Sequence, residues 1–426
     1  MPPLYPILLA AAIIGSGMMP LGYSIVDEVF AGFIVLGALW ALRGARDEAA
    51  GVEGGGLARL HLIVFLLMVG YFELQAIRGM IVLDSLRKVR WVLFFPLVAL
   101  IPLALRRLPR THVTASTLAS TILWSSLIYS VLSLLMAVIW EGLGGSRWSL
   151  QGTWWVPTAY AALPIVIAMP YVTYGLNQGG RLRLWAWAVL AILIVSAFYF
   201  DSRIATLSIL AFLVAGFSTY RWRGIAVVAG LMVMAMMLIA PFLPPGRRLT
   251  DAVRKEAGEL VKTFVPFIKP PEQFVLKRDM ERYIHVQVAS AALRKDWRSA
   301  VFGYGYRTHG RVISPELKVL YERYGAPEIA ARIREDESTI GFTALVVDTG
   351  LLGLGLFAAA HGLAAARVWA GGNRRYRLPA LLAVVLLFFW QFAVNTLDAV
   401  LVYMLLMPGG PLQLLAESGV PAAAAG

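Results

Sequence analysis

Cysteine is absent from this chain, which excludes disulfides, thiolate nucleophiles and cysteine-ligated metals together. Charge is scarce as well: Asp, Glu, Lys and Arg make up 15% of the 426 residues, against 59% hydrophobic ones. The five histidines show neither H-x-x-H nor H-E-x-x-H spacing, so no metal site and no cofactor is expected. The start, Met1-Pro2-Pro3-Leu4, lacks the basic n-region and A-x-A site of a cleavable signal peptide, and the first apolar run is expected to stay.

Apolar runs are what the chain has in abundance. Its mean hydropathy of +0.71 is more than a soluble domain could hide, because the outside of such a domain must face water. Runs of about 17–25 residues, broken by short Arg-rich or Gly/Pro-rich stretches, read as spanning helices. They fall near 5–20, 24–42, 58–76, 91–105, 114–140, 155–174, 182–199, 203–219, 224–243, 340–368, 378–396 and 399–416. The expected fold class is all-α: a polytopic integral membrane protein with about twelve transmembrane helices and one long, largely helical periplasmic loop. The division is 1–243 for the first nine spans, 244–338 for the loop, and 339–426 for the last three spans and a tail.

The net charge of +13 is largely topological. With the N-terminus inside, the cytoplasmic turns carry Arg43, Arg46, Arg106, Arg107, Arg110, Arg181, Arg183, Arg221, Arg223, Arg367, Arg374, Arg375 and Arg377. The opposite assignment would put nearly all of them outside, so the positive-inside rule places both termini in the cytoplasm. Arg78, Arg87, Lys88 and Arg90, in the short outer loop 78–90, run against that trend. Basic residues at an outer membrane face suit an anionic ligand at headgroup depth; pairing with anionic lipid is the plainer account.

The long outer segment opens on Pro244-Pro245-Gly246, which turns the chain. Asp251 to Lys262 could lie on the membrane as an amphipathic helix. Residues 279–298 have helical apolar spacing, 302–306 (F-G-Y-G-Y) read as a turn, and 315–335 read as largely helical with a break at Gly325 to Pro327.

Candidate chemistry lies in and around this segment. Arg203 stands at an outer membrane boundary, where a charged side chain costs a few kcal/mol unless paired; Asp201 is its structural alternative. Arg282 sits one helical turn before His285, and Arg307 directly follows the glycine turn, which lets backbone and side chain approach a ligand closely. Glu335, Asp336 and Glu337 precede the next span, either as macrodipole partners with a Ser338 or Thr339 cap, or as a general base. His285 and His309 are the histidines of the outer segment; either could serve as a base, although a lone loop histidine is more often inert. His61, His112 and His361 read as structural.

The order of these pieces resembles the O-antigen ligase and O-antigen polymerase superfamily. The pieces are Ser202-Arg203, Arg282 with Trp297, Gly303-Tyr304-Gly305-Tyr306, and Asp336 through Gly353, which together cover residues 200–358. That resemblance implies a membrane glycosyltransferase of the bacterial inner membrane, acting at the periplasmic face on a polyprenyl-diphosphate-linked glycan such as an undecaprenyl-diphosphate one. The acceptor would be a second glycan or lipid A-core. It casts Arg203 and Arg282 as catalytic, with Glu337 and then His309 as base candidates, and Arg78, Arg87, Lys88, Arg90 and Arg307 as diphosphate-binding groups. Fixed guanidinium groups suit charge developing on a diphosphate leaving group, and phosphate needs no metal to stay ionised. Ligases of this superfamily carry a His-Asn pair where the loop rejoins the membrane; here Asp336-Glu337-Ser338-Thr339 stands there, which tilts the reading toward a polymerase. A secondary transporter is the rival from another class, but it favours two similar halves and ionisable residues deep in the spans. A glycosyltransferase of another membrane family, using Asp27-Glu28, would need a longer first outer loop.

Overall fold

The computed structural model describes residues 55–83, 89–105, 114–142, 162–199, 277–323, 327–331, 341–371, 373–392 and 400–417, with isolated positions at 6–14, 208–215, 325 and 333. Among the described residues every regular element is helical. Apolar sequence dictates this: where water is excluded, a helix satisfies its own backbone N–H and C=O groups within one segment.

Among the described residues, seven longer elements form the apolar body. They are α1 (Gly56–Leu83), α2 (Val89–Leu105), α3 (Ala115–Gly142), α4 (Ala162–Asn177), α5 (Arg181–Tyr199), α10 (Gly341–Ala370) and α11 (Arg374–Phe389). Gly56–Val82, Ala115–Leu135 and Gly341–Ala370 are long and apolar enough to cross a membrane, and Trp91–Pro102 and Ile165–Asn177 are shorter apolar stretches. Helix α1 packs between α2 and α10, while α3, α4 and α5 pack on one another, and α11 joins α10 to α4. The interior is aromatic: Phe72 meets Phe95 edge-on at 5.7 Å, and Phe95 meets Tyr306 at 5.1 Å. The outside is apolar too. Leu60, Ile63, Leu67, Leu74 and Ile81 form an exposed stripe along α1, a surface that suits hydrocarbon far better than water.

Between α5 and α10 lies a small helical cap. It comprises α6 (Lys277–Arg294), α7 (Trp297–Phe302), α8 (His309–Arg323) and the single turn α9 (Pro327–Ala330). Its own core joins Ile284, Val288 and Ala289 of α6 to Ile313, Leu317 and Tyr321 of α8, with Val347 of α10 as its floor. The helix expected at 279–298 ends early because Asp296, in extended conformation, caps α7 by accepting from the Arg298 and Ser299 amides. The break expected at Gly325 is present, and the turn expected at 302–306 occupies 303–306, Phe302 being the last residue of α7.

Three membrane-side expectations change. The outer loop drawn at 78–90 is shorter: α1 runs on through Ile81-Val82-Leu83 and α2 begins at Val89, so Arg78 is helical. The span drawn at 340–368 is interrupted at Gly350, whose backbone (φ 68°, ψ −172°) ends one helix and starts another. The span drawn at 399–416 is two seven-residue helices, α12 (Val400–Leu406) and α13 (Pro411–Glu417). Each is about 10 Å long, too short to cross a bilayer. The intervening Met407-Pro408-Gly409-Gly410 turn is stitched by Gln413, whose Nε2 donates to the Met407 carbonyl while its Oε1 accepts from the Gly409 amide. The segment is buried almost throughout, where a broken backbone is tolerated at membrane depth. The expected spans at 24–42 and 224–243, and the segment 244–276, lie outside the described residues.

Gly350 and Gly303, the residue that ends α7, cross back to back. Both hold positive φ, and a methyl on either would overlap the other strand's backbone: Asp348 O for Gly303, Val301 O for Gly350. An L-residue in the left-handed region costs about 1–2 kcal/mol before any overlap. Gly350→Ala should therefore lower the unfolding temperature of the purified chain by several degrees and expose the cap to trypsin. Gly355→Ala, in open space on the same helix, should leave both unchanged or slightly improved.

Candidate functional site

The site grows out of that crossing. Because the first half of α10 ends at Gly350, the carbonyls of its last turn lose their intrahelical partners. The glycine turn supplies new ones: Tyr304 N donates to Val347 O and Gly305 N to Asp348 O, both at 2.9 Å, and the Tyr71 hydroxyl donates to Thr349 O at 2.8 Å. On the other side, Tyr306 N donates to Gln75 O at 2.8 Å, and Arg78 Nη1 donates to Gly303 O at 2.8 Å. The F-G-Y-G-Y turn is therefore sewn to α1 and α10 by backbone hydrogen bonds. Close approach by its glycines serves that packing: Gly303 lies against Asp348 and Gly350, and Gly305 against Gly79.

At the centre of the seam is Asp348, 1% exposed. Its Oδ1 accepts from His309 N at 2.7 Å, and its Oδ2 accepts from Arg307 N at 2.7 Å and from His309 Nδ1 at 2.8 Å. A carboxylate buried this deeply is costly unless hydrogen-bonded and charge-compensated. Here it closes the N-terminus of the fifteen-residue α8, where free amides and the positive end of the macrodipole favour an anion. The backbone is bent to reach it: Arg307 has φ 65°, and Thr308 secures the bend by donating its hydroxyl to Gly305 O at 2.7 Å.

The geometry also sets a tautomer. An ionised carboxylate only accepts, so opposite it the imidazole Nδ1 is the donor and carries the proton. In the neutral ring Nε2 then carries the lone pair. A histidine oriented by a buried carboxylate in this way is equipped to take a proton from a hydroxyl group. His309, 4% exposed, is therefore not a lone loop histidine but half of a dyad. His285 of α6 is buried beside it; burial, and then the charge of His309, push His285 down to about 4.

The cationic groups gather at the same seam. The Arg307 guanidinium lies over the Trp91 ring at 4.9 Å, a cation–π contact that fixes its direction. Arg78 is exposed on α1, flanked along that face by Leu74 and Ile81, and reaches the turn through its bond to Gly303 O. Among the described residues there is no group of three or more His, Asp or Glu side chains suited to a metal ion. Neither protein-family models nor curated proteins give a match to this chain.

The structure thus brings Arg78, Arg307 and His309 to one place. Arg90 and Arg282 lie on α2 and α6, their side chains outside the described set. Arg87, Lys88, Arg203 and Glu337 lie outside the described residues. Asp348, Trp91 and Tyr71 were missed by sequence reasoning. Asp348 did carry a signal, being the one acidic residue in an apolar stretch from 341 to 370, and such residues are functional or partnered as a rule. Trp91 and Tyr71 carried none, since aromatics at helical spacing belong equally to a core.

Two outcomes follow. Asp348→Asn keeps the shape but offers a single acceptor oxygen for three donors. It should cost about 2–4 kcal/mol, read as a lower unfolding temperature and faster amide exchange at 307–312. His285 is held neutral, well below its ordinary value of 6.5, so the unfolded chain takes up a proton that the folded one refuses. Stability should be full above pH 6.5 and fall on acidification toward pH 4, by on the order of 3 kcal/mol. Unfolding measured across that window should show the slope, and His285→Gln should flatten it.

Proposed function

We propose that this chain is a membrane glycosyltransferase acting on a polyprenyl-diphosphate-linked glycan, of the polysaccharide-polymerase type. The observation that carries the reading is the buried Asp348–His309 dyad, set in a loop that also carries Arg307 and is clasped by Arg78. Transfer of a glycan from a diphosphate to an alcohol asks for two things: a base for the hydroxyl proton and fixed positive charge for the leaving group.

In the proposed step, the acceptor hydroxyl oxygen bonds to the anomeric carbon of the donor glycan as the bond from that carbon to the diphosphate oxygen breaks. The hydroxyl proton passes to His309 Nε2, and Asp348 keeps the ring oriented and balances its charge. The electron pair of the broken bond stays on the diphosphate, facing Arg307 and Arg78, whose planar forks match phosphate oxygens. Arg203 and Arg282 join this clamp by the resemblance described above, together with Arg87, Lys88 and Arg90. His309 takes the role of base ahead of Glu337, because its orienting carboxylate is in place. The accompanying topology is the twelve-span one, its last span broken into α12 and α13, in the bacterial inner membrane, with both termini cytoplasmic and the cap in the periplasm. An O-antigen ligase delivering glycan to lipid A-core is the alternative within the same chemistry.

Complementation in a host deleted for this chain tests the proposal, with surface polysaccharide resolved as a ladder on a gel and membrane protein level measured alongside. His309→Ala, Arg307→Ala, Arg203→Ala and Arg282→Ala should insert normally and lose polymer, the histidine change by roughly 10²–10⁴-fold in rate. Accumulated single repeat units would identify a polymerase. Long lipid-linked chains that never reach their acceptor would identify a ligase. Normal polysaccharide from all four variants would sink the glycosyltransferase reading and favour the transporter.

A further inference from the structure

The cap meets the apolar body at a depth that can be measured along two helices. On α10, Gly350, where the cap crosses, is nineteen residues from Trp369, about 28 Å of helix. On α1, Arg78, which holds Gly303, is nineteen residues from Arg59, again about 28 Å. Both match the roughly 30 Å thickness of a bilayer's hydrocarbon core. The far boundary is marked by Trp369, 58% exposed, with the Arg377 guanidinium 5.2 Å from its ring centre. Such aromatic–basic pairs sit at the junction of headgroups and acyl chains.

The near boundary has a pair of the same kind, but on the cap rather than on a span. Trp297 opens α7 and is 67% exposed, with the Arg298 guanidinium 5.7 Å from its ring centre. Phe302 closes α7 and is 41% exposed. Leu351 and Leu352, the first residues of α10 past the crossing, are exposed apolar side chains next to the same junction. Ser299, between the two aromatics, is buried and held by Asp296, so α7 is fastened to the cap there while the aromatics at its two ends stay exposed. Nothing in the cap's own core uses Trp297 or Phe302.

The geometry points to α7 as a foot that rests on the bilayer: Trp297 and Phe302 enter the boundary between headgroups and acyl chains of the leaflet on the cap's side, and Arg298 meets a phospholipid phosphate. The occupant of this face is the membrane lipid itself. The foot fixes the height of the cap, and with it the height of the 303–309 loop, whatever reaction that loop serves.

The absence of native cysteine makes a clean test possible on the full chain. Single spin labels are placed by Trp297→Cys, Phe302→Cys, Leu352→Cys as a lipid reference, and Val319→Cys on α8 as a water reference, all at exposed positions. The protein is reconstituted in vesicles of phosphatidylethanolamine and phosphatidylglycerol. Collision of each label with oxygen, which partitions into lipid, and with a water-soluble nickel chelate gives its depth. Labels at 297 and 302 should collide with the nickel chelate several-fold less than the label at 319, and with oxygen several-fold more, at depths shallower than 352. Water-like values at both positions would overturn the inference. So would lipid-like values at 302 with water-like values at 297, because α7 would then stand up from the surface instead of lying on it.

Discussion

A single buried carboxylate organises the junction on which the rest of this molecule turns. Asp348 gathers the amides of Arg307 and His309 and the imidazole of His309, and so ties the first turn of α8 to the end of the first half of α10. Removing a carboxylate from water costs several kcal/mol, and only a complete set of donors offsets it. The bent backbone at Arg307, the Gly303–Gly350 crossing and the start of α8 are the means by which that set is completed. Each would be unfavourable alone. Together they hold one another in place.

The same junction explains why the cap does not behave as a loop between spans. Its core is small and uses Val347 of α10 as its floor, while Ala344 and Leu345 of the same turns pack into the apolar body, so the first half of α10 serves both. Tyr306 reaches the other way, from the cap into the aromatic interior between Trp91 and Phe95. A site placed at such a seam takes its orientation from both sides. Its histidine comes from the cap, the carboxylate that orients it from α10, and its cationic groups from the loop and from α1.

Much of this was legible in the sequence as pattern and little of it as position. Long apolar runs announced the apolar helices, F-G-Y-G-Y announced a turn, and Gly325 with Pro327 announced a break. Asp348 stood in plain view inside an apolar stretch, yet its hydropathic surroundings allowed a continuous span to be drawn through it. The halves of the 399–416 segment were equally hidden, because Pro-Gly-Gly inside an apolar run is compatible both with a kinked span and with a broken one. Which of these forms depends on whether neighbouring side chains, here Gln413, can satisfy the freed backbone.

Composition and periodicity by themselves determined that the chain is helical and that its surface is apolar, since both follow from how a backbone and its side chains respond to the absence of water. They also determined that charge would be rare and therefore meaningful wherever it stood. Only the tertiary structure decided that His309 would face Asp348, thirty-nine residues away in sequence, and that Arg78 and Arg307 would share the seam. Those pairings rest on the packing of α1, α10 and the glycine turn against one another. Contacts between segments so far apart in sequence leave no local periodicity from which they could be read.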